Sequence, residues 1–297
     1  MQLGFPQLPQ FPERGALNLS PDERDKLEAR FFKVIQMWLK DCDENHPNCR
    51  PAPKTRRAAM LPTRLINVGQ KGDKISLYET TAGDQQEYSN SESDQYSFIA
   101  LSHPWGDTKA FKPFMTTRQD SDDFKEEIPY RKLPDTFEHA IQVTRALGKH
   151  YLWIDSLCIL QGPDGDFSQE AERMEHVFSS AYCVIAASRA ENQHSGFLKE
   201  RNQRKYLRFE NNAGESFFVC EAIDNFKRDV EDGNLNQRGW VLQERALARR
   251  TVFFAPMQTY FECGEGVRCE TLSKLTQYVI IRSCECSLQE QGTDLPR

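Results

Sequence analysis

The chain has 297 residues, of which 38% are hydrophobic and 11% aromatic, so one large domain or a domain with extensions can bury a sizeable core. The formal net charge is −6, with acidic and basic residues mixed along the chain, which argues against a nucleic-acid-binding surface. The sequence has neither a secretory signal nor an apolar run long enough to span a membrane, and nine cysteines are too sparse for a disulfide scaffold. We therefore expect a cytoplasmic protein with reduced cysteines.

The first third of the chain predicts an amino-terminal helix followed by a short β-hairpin. A capping-box pattern at 20–23 precedes apolar residues at helical spacing, which predicts a helix to about Lys40. The remaining predictions are a loosely ordered lead-in at 1–19, a linker at 41–61, a strand pair at 64–68 and 75–78, and a mobile loop at 81–95.

From Tyr96 onward, strands and helices alternate. The apolar runs 96–101, 151–154 and 182–187 predict buried strands, and 135–147 and 167–181 predict the helices between them. This order implies right-handed crossovers and a parallel sheet, so the predicted fold is α/β with a Rossmann-like core and flanking helices. Later predictions are strands at 216–221, 251–254 and 259–262, a helix from near Gly239, and an irregular tail at 274–297.

Three short segments carry most of the chemical information: IALSHPWG at 99–106, LWIDSLCILQ at 152–161 and RGWVLQER at 238–245. The first two follow neighbouring predicted strands, and ligands of open α/β sheets bind at the carboxyl ends of such strands. We therefore expect the segments to converge on one pocket. Its candidate ligand-binding residues are Trp105, Gly106, Asp155, Gln161, Arg238 and Gln243.

Structural roles compete with each of these functional ones. Trp105 is either a ligand platform or a core aromatic, and Asp155 either holds a ribose hydroxyl or caps a turn. Glu244 is either a carboxylate of tuned pKa or half of a buried ion pair with Arg238 or Arg245. His103 can serve acid–base chemistry, although structural hydrogen bonding is the favoured interpretation. We assign Trp153, Cys158 and Trp240 to a buried framework.

A metal site is considered but not predicted. Cys42, His46 and Cys49 offer three possible zinc ligands, but the usual two-plus-two spacing is missing. A fourth ligand would have to come from Cys263 or Cys269, which the spacing alone does not indicate.

The motifs resemble those of the heterokaryon incompatibility family of filamentous fungi. That family pairs an ALS-x-x-WG block with LWID-x-LCI-x-Q, followed by E-x-x-x-M, matched at Glu170 and Met174, and by an R-x-W-x-x-QE block starting at Arg238. The likeness covers about residues 46–270, with departures at Pro104 and Leu160. It places the family domain at 61–273, after an amino-terminal helix and linker at 1–60.

The resemblance implies a non-self-recognition and programmed cell death effector. The family has also been likened to Toll/interleukin-1 receptor domains, some of which cleave NAD, so NAD is a possible substrate and no other cofactor is expected. By that analogy the catalytic carboxylate would be Glu244 or, as second choice, Glu170. Partners would be other incompatibility or sensor proteins, or a second copy of the chain. The alternatives are a non-enzymatic signalling or assembly module and an inert truncated relative.

Overall fold

The computed structural model describes residues 3–4, 21–49, 60–90, 95–199, 201, 206–210, 216–220, 223–271 and 274–275. The strands are β1 Leu3–Gly4, β2 Arg64–Asn67, β3 Ser76–Glu79, β4 Phe98–Ser102, β5 Tyr151–Trp153, β6 Cys183–Ala186, β7 Tyr206–Glu210, β8 Ser216–Cys220, β9 Arg250–Phe254, β10 Thr259–Cys263, β11 Gly266–Cys269 and β12 Lys274–Leu275. The α-helices are α1 Pro21–Asn45, α2 Ala82–Asn90, α3 Ser121–Glu126, α4 Asp135–Ala146, α5 Asp155–Cys158, α6 Phe167–Ala171, α7 Met174–Ser180 and α8 Gly239–Leu247. Short 3-10 helices lie at Pro47–Cys49, Tyr130–Lys132 and Asn234–Gln237, and a π-helix at Lys227–Glu231.

The main sheet has nine strands in the order β12-β11-β10-β9-β6-β4-β5-β2-β3. Its centre is parallel, because β4 pairs in parallel with β5 and β6, and β6 with β9. Every residue of β4, β6 and β9 is buried, as expected of parallel strands covered on both faces. The predicted α/β class is therefore confirmed, together with the hairpin, in which β2 and β3 pair antiparallel. A separate three-stranded sheet has the order β1-β8-β7.

The amino-terminal helix packs against the later strands of the sheet. The Trp38 ring stacks on Phe261 of β10 with the centroids 6.1 Å apart, and Phe31 lies 6.3 Å from Phe254 of β9. The helix begins at Pro21, as predicted, but extends five residues beyond Lys40. Because the helix runs to Asn45 and the 3-10 turn at Pro47–Cys49 follows it, the prediction of a linker is wrong for residues 41–49. Residues 50–59 lie outside the described part.

The predicted loop at 81–95 is wrong over 82–90, which form α2. This helix is polar, so it has no apolar stripe that periodicity could detect. It is held instead by the Asp84 carboxylate, which accepts hydrogen bonds from the Tyr96 hydroxyl at 2.6 Å and from the Tyr78 hydroxyl and Thr81 N–H at 2.8 Å. Hydrogen bonds to the charged form keep the pKa of Asp84 well below its ordinary range.

The predicted helix at 167–181 is interrupted. It forms α6 and α7, separated by Glu172 and Arg173. The Arg173 guanidinium donates to Thr63 Oγ1 at 2.7 Å, across to the segment that precedes β2. The other predicted helices, at 135–147 and from Gly239, are confirmed as α4 and α8. Of the predicted irregular tail, Lys274–Leu275 form β12 and residues 276–297 lie outside the described part.

Candidate functional site

The first two segments meet where β4 and β5 end. Because these strands are parallel neighbours, their carboxyl ends lie at the same edge of the sheet. Trp105 follows β4, and Asp155 opens α5 just after β5. The Trp105 indole Nε1–H donates to Asp155 Oδ2 at 2.7 Å, and Oδ1 of the same carboxylate accepts the Ser156 N–H at 2.7 Å. Asp155 thus sets the position of the half-buried Trp105 ring and keeps about a quarter of its own side chain exposed.

His103 lies directly behind this pair, in the core. Its Nδ1 is 3.8 Å from Asp155 Oδ1, and its ring meets Phe137 edge-on with the centroids 5.1 Å apart. Burial lowers the pKa of His103, and the Asp155 carboxylate only partly opposes this effect. Neither ring nitrogen has a hydrogen-bond partner within the described residues. The buried imidazole is therefore not an exposed acid–base group, and the structural hydrogen bonding expected of its ring is not formed within the described residues.

The third segment reaches the same place from the start of α8. Arg238 precedes the helix, and its Nη1–H donates to the His103 carbonyl at 2.7 Å. Glu244 points its carboxyl inward. Burial raises its pKa to about 7, and the Asp155 charge adds to the rise, while Ser102 and Arg238 oppose it. Oε2 of Glu244 and the Ser102 hydroxyl are both buried, and neither has a full hydrogen bond in the described part of the chain.

Glu244 does not form the ion pair with Arg245 that was one of the roles considered for it. Arg245 pairs bidentately with Glu262 of β10 at 2.6 and 2.8 Å, so it does not pair with Glu244. Arg238 acts on Glu244 through its charge while its guanidinium bonds the His103 carbonyl. The result is a carboxyl of tuned pKa beside a second carboxylate, the arrangement that acid–base and electrostatic catalysis use.

The other candidate residues have different surroundings. The Gln161 amide donates to the backbone carbonyls of Ile159 and Asp155, at 3.0 and 3.4 Å, so it shapes the turn after α5. Gln243 is exposed on α8. Glu170 is buried, but its carboxylate accepts from Thr63 Oγ1 at 2.7 Å and pairs with Arg173 at 3.4 Å.

Gly106 occupies a position that only glycine fits. Its φ is +83°, and a Cβ placed there would lie 2.4 Å from the Asn192 Cβ. A left-handed backbone and this close approach both exclude a side chain. Gly106 therefore turns the chain away after Trp105 and allows the segment around Asn192 to cover the loop.

The framework assignments are confirmed for two of three residues. Trp153 is buried and meets Phe178 edge-on at 5.6 Å, and burial raises the pKa of the Cys158 thiol to about 12, which makes it a structural thiol. The prediction that Trp240 is buried is wrong, since its side chain is 60% exposed near the start of α8.

A second cluster contains the three zinc-ligand candidates of the sequence together with one of the two possible fourth ligands. Cys42, His46, Cys49 and Cys263 are all buried, and their ligand atoms lie within 4.8 Å of one another. Cys269, the other residue considered as a fourth ligand, has its thiol against Thr271 and Asp224 instead.

Part of the chain matches a known protein family. Residues 98–244 match the family model described as heterokaryon incompatibility protein (HET). No curated protein and no solved structure matches the chain. The matched range begins at β4 and ends at Glu244, so it contains the first two segments, the third up to Glu244, and the whole Glu244 group. In the described part of the chain, no helix is long and apolar enough to cross a membrane.

Proposed function

Because the chain belongs to the heterokaryon incompatibility family, we propose that it is a cell death effector of non-self recognition and that the Glu244 group hydrolyses NAD. The observation that carries the proposal is the Glu244 carboxyl, buried beside Asp155 and Arg238 with its pKa raised to about 7. A carboxyl with that pKa is present in both protonation states at neutral pH, which suits it to exchange a proton during a reaction.

The reaction breaks the glycosidic bond between the ribose C1′ and the nicotinamide nitrogen. The electron pair of that bond leaves with nicotinamide, and positive charge develops on the ribose. The Glu244 carboxylate stabilises this charge from a site with little water, where electrostatic stabilisation is strongest. A water molecule then forms the new C1′–O bond, and Glu244 accepts its proton before releasing it to solvent. The products are nicotinamide, ADP-ribose and one proton.

The neighbouring residues supply binding and orientation. The guanidinium of Arg238 has five N–H donors, and the bond to the His103 carbonyl uses one of them, so others can bind a phosphate oxygen. The Trp105 ring, fixed by Asp155, offers a flat apolar surface for a ring of the dinucleotide. The exposed part of the Asp155 carboxylate can accept a ribose hydroxyl.

The decisive assay measures nicotinamide release from NAD by the purified chain. We expect Glu244→Gln to lose at least about 100-fold in kcat, because it removes the charge that stabilises the developing cation. The matched control is Glu170→Gln, a second buried glutamate on a helix, which should keep most of the activity. We also expect kcat to rise between about pH 6 and pH 8 as Glu244 ionises. Equal activity of wild type and Glu244→Gln would refute the assignment.

A non-enzymatic assembly role is the second candidate, because α8 carries two exposed apolar side chains, Trp240 at 60% and Leu242 at 66%. Exposed large apolar groups often belong to contact surfaces. Inducible expression in a fungal host, scored for growth arrest, separates the candidates. Loss of toxicity in Glu244→Gln with retention in Trp240→Ala supports the enzyme. The opposite pattern, with no NAD consumed, supports assembly.

A further inference from the structure

The second buried cluster joins two parts of the chain that are far apart in sequence. Cys42 lies in the last turns of α1, His46 follows the helix, and Cys49 ends the 3-10 turn after it. Cys263 is the last residue of β10 and comes more than 200 residues later. All four are buried, and their one imidazole nitrogen and three sulfur atoms lie within 4.8 Å of one another.

We propose that Cys42, His46, Cys49 and Cys263 bind one Zn²⁺ ion in a closed structural site. Zinc is held tetrahedrally by thiolate at about 2.3 Å and by imidazole nitrogen at about 2.0–2.1 Å, and Cys₃His is one of its common structural ligand sets. In such a tetrahedron sulfur and nitrogen are separated by about 3.5 Å. The observed distance from Cys263 Sγ to His46 Nδ1 is 3.4 Å.

The surroundings place a carboxylate and one hydrogen-bond donor next to the proposed ligands. With the metal on Nδ1, His46 Nε2 lies 3.8 Å from the Asp41 carboxylate and 3.4 Å from the Arg268 guanidinium. Arg268 on β11 holds that carboxylate at 2.5 Å. On the opposite ligand, the Gly264 N–H donates to Cys49 Sγ at 3.2 Å, which stabilises a thiolate.

The donor set favours zinc over Mg²⁺, Ca²⁺ and a disulfide. Three thiolates and an imidazole do not suit Mg²⁺ or Ca²⁺, which take oxygen ligands. A disulfide between any two of the cysteines would leave the third cysteine and the histidine without a role. A zinc ion uses all four and neutralises most of the charge of three buried thiolates.

The site would fasten the end of α1 to the hairpin of β10 and β11. The hairpin turn approaches closely, since a Cβ on Gly264 would lie 3.1 Å from Cys49 Sγ. The cluster shares no residue with the Glu244 group, so the zinc site and the proposed NAD hydrolysis can fail independently.

The test is metal analysis of the full chain purified without chelator. We expect about one zinc per chain, and replacement by Co²⁺ should give the strong absorption of a tetrahedral thiolate site. Cys263→Ser should lose the metal, whereas the matched control Cys269→Ser, a buried cysteine on the next strand, should keep it. The zinc content and the Co²⁺ absorption are both measured on the wild-type chain, so they test the proposal even if Cys263→Ser fails to fold.

Two results would overturn the proposal. One is wild-type protein with less than about 0.1 zinc per chain that also fails to bind Zn²⁺ or Co²⁺ added to the reduced protein. The other is a disulfide among Cys42, Cys49 and Cys263, found by peptide mass analysis of freshly purified protein. Zinc bound equally by wild type and Cys263→Ser would refute the ligand assignment.

Discussion

Replacing Glu244 with glutamine should remove activity and stabilise the protein in alkaline solution. The folded environment raises the pKa of Glu244 from its ordinary 4.5 to about 7, so the folded state holds this proton more tightly than the unfolded state. The contribution of Glu244 to the unfolding free energy therefore falls as pH rises from about 4.5 to about 7. The full difference corresponds to about 3 kcal/mol, and partial exposure of the side chain reduces it to about 2 kcal/mol.

Glutamine resembles the protonated acid in shape and charge, so the variant lacks this pH-dependent penalty. We expect Glu244→Gln to match wild type at pH 5 and to exceed it by about 2 kcal/mol at pH 8. Urea unfolding followed by tryptophan fluorescence at both pH values gives the two differences. Comparing the variant with wild type at each pH cancels the titration of all other groups.

The matched control is Glu170→Gln, which weakens an ion pair with Arg173 and should destabilise by about 1–2 kcal/mol at pH 8. If Glu244→Gln changes stability equally at pH 5 and pH 8, or destabilises the protein at pH 8, then Glu244 does not have a raised pKa. The catalytic proposal would then lose its main support.

Three further predictions test the surroundings of the site and of α2. Gly106→Ala should lower Tm by about 5–8 °C, because it forces a clash at positive φ, whereas Gly72→Ala has open space and should cost about 1 kcal/mol. Asp155→Ala should cost about 1–3 kcal/mol and shift fluorescence emission to the red, because the Trp105 indole loses its acceptor. Asp84→Asn should lower Tm at pH 7 and should lower it less at pH 2. The depressed pKa of Asp84 gives stability that is complete above its ordinary pKa of 3.8 and is lost only as pH falls towards the lower pKa of the folded state, and a Tm difference that is the same at pH 2 and pH 7 would contradict this.

The parallel core could be predicted because its information is local. The strands β4, β5 and β6 are continuous apolar runs, and their alternation with helical segments fixes which strand ends are neighbours. That reasoning was enough to bring Trp105 and Asp155 together. It could not give the depth at which Glu244 is buried, since that depth depends on how α8 docks after a long excursion from β6.

The missed features all depend on partners distant in sequence. Helix α2 has no apolar residues at helical spacing by which the sequence could reveal it. It is held instead by Asp84, whose carboxylate accepts hydrogen bonds from two tyrosines outside the helix. Trp240 was expected to be buried on residue type alone, yet its position on α8 leaves it exposed. The sequence leaves Cys263 and Cys269 as alternative fourth ligands, and spacing cannot choose between them, because Cys263 is a neighbour of Cys42 only through the packing of β10 beside α1.

The order of the segments along the chain also determines when the site can exist during synthesis. The Ser102 and Asp155 side leaves the ribosome early, whereas Glu244 lies on α8, which is translated later and packs against α7 and the 3-10 turn before it. Domains fold as units while the chain is being made. A nascent chain that has not yet reached α8 therefore lacks the assembled Glu244 group. Under the proposed function, this order keeps the ribosome-bound chain inactive until nearly the whole domain has been translated.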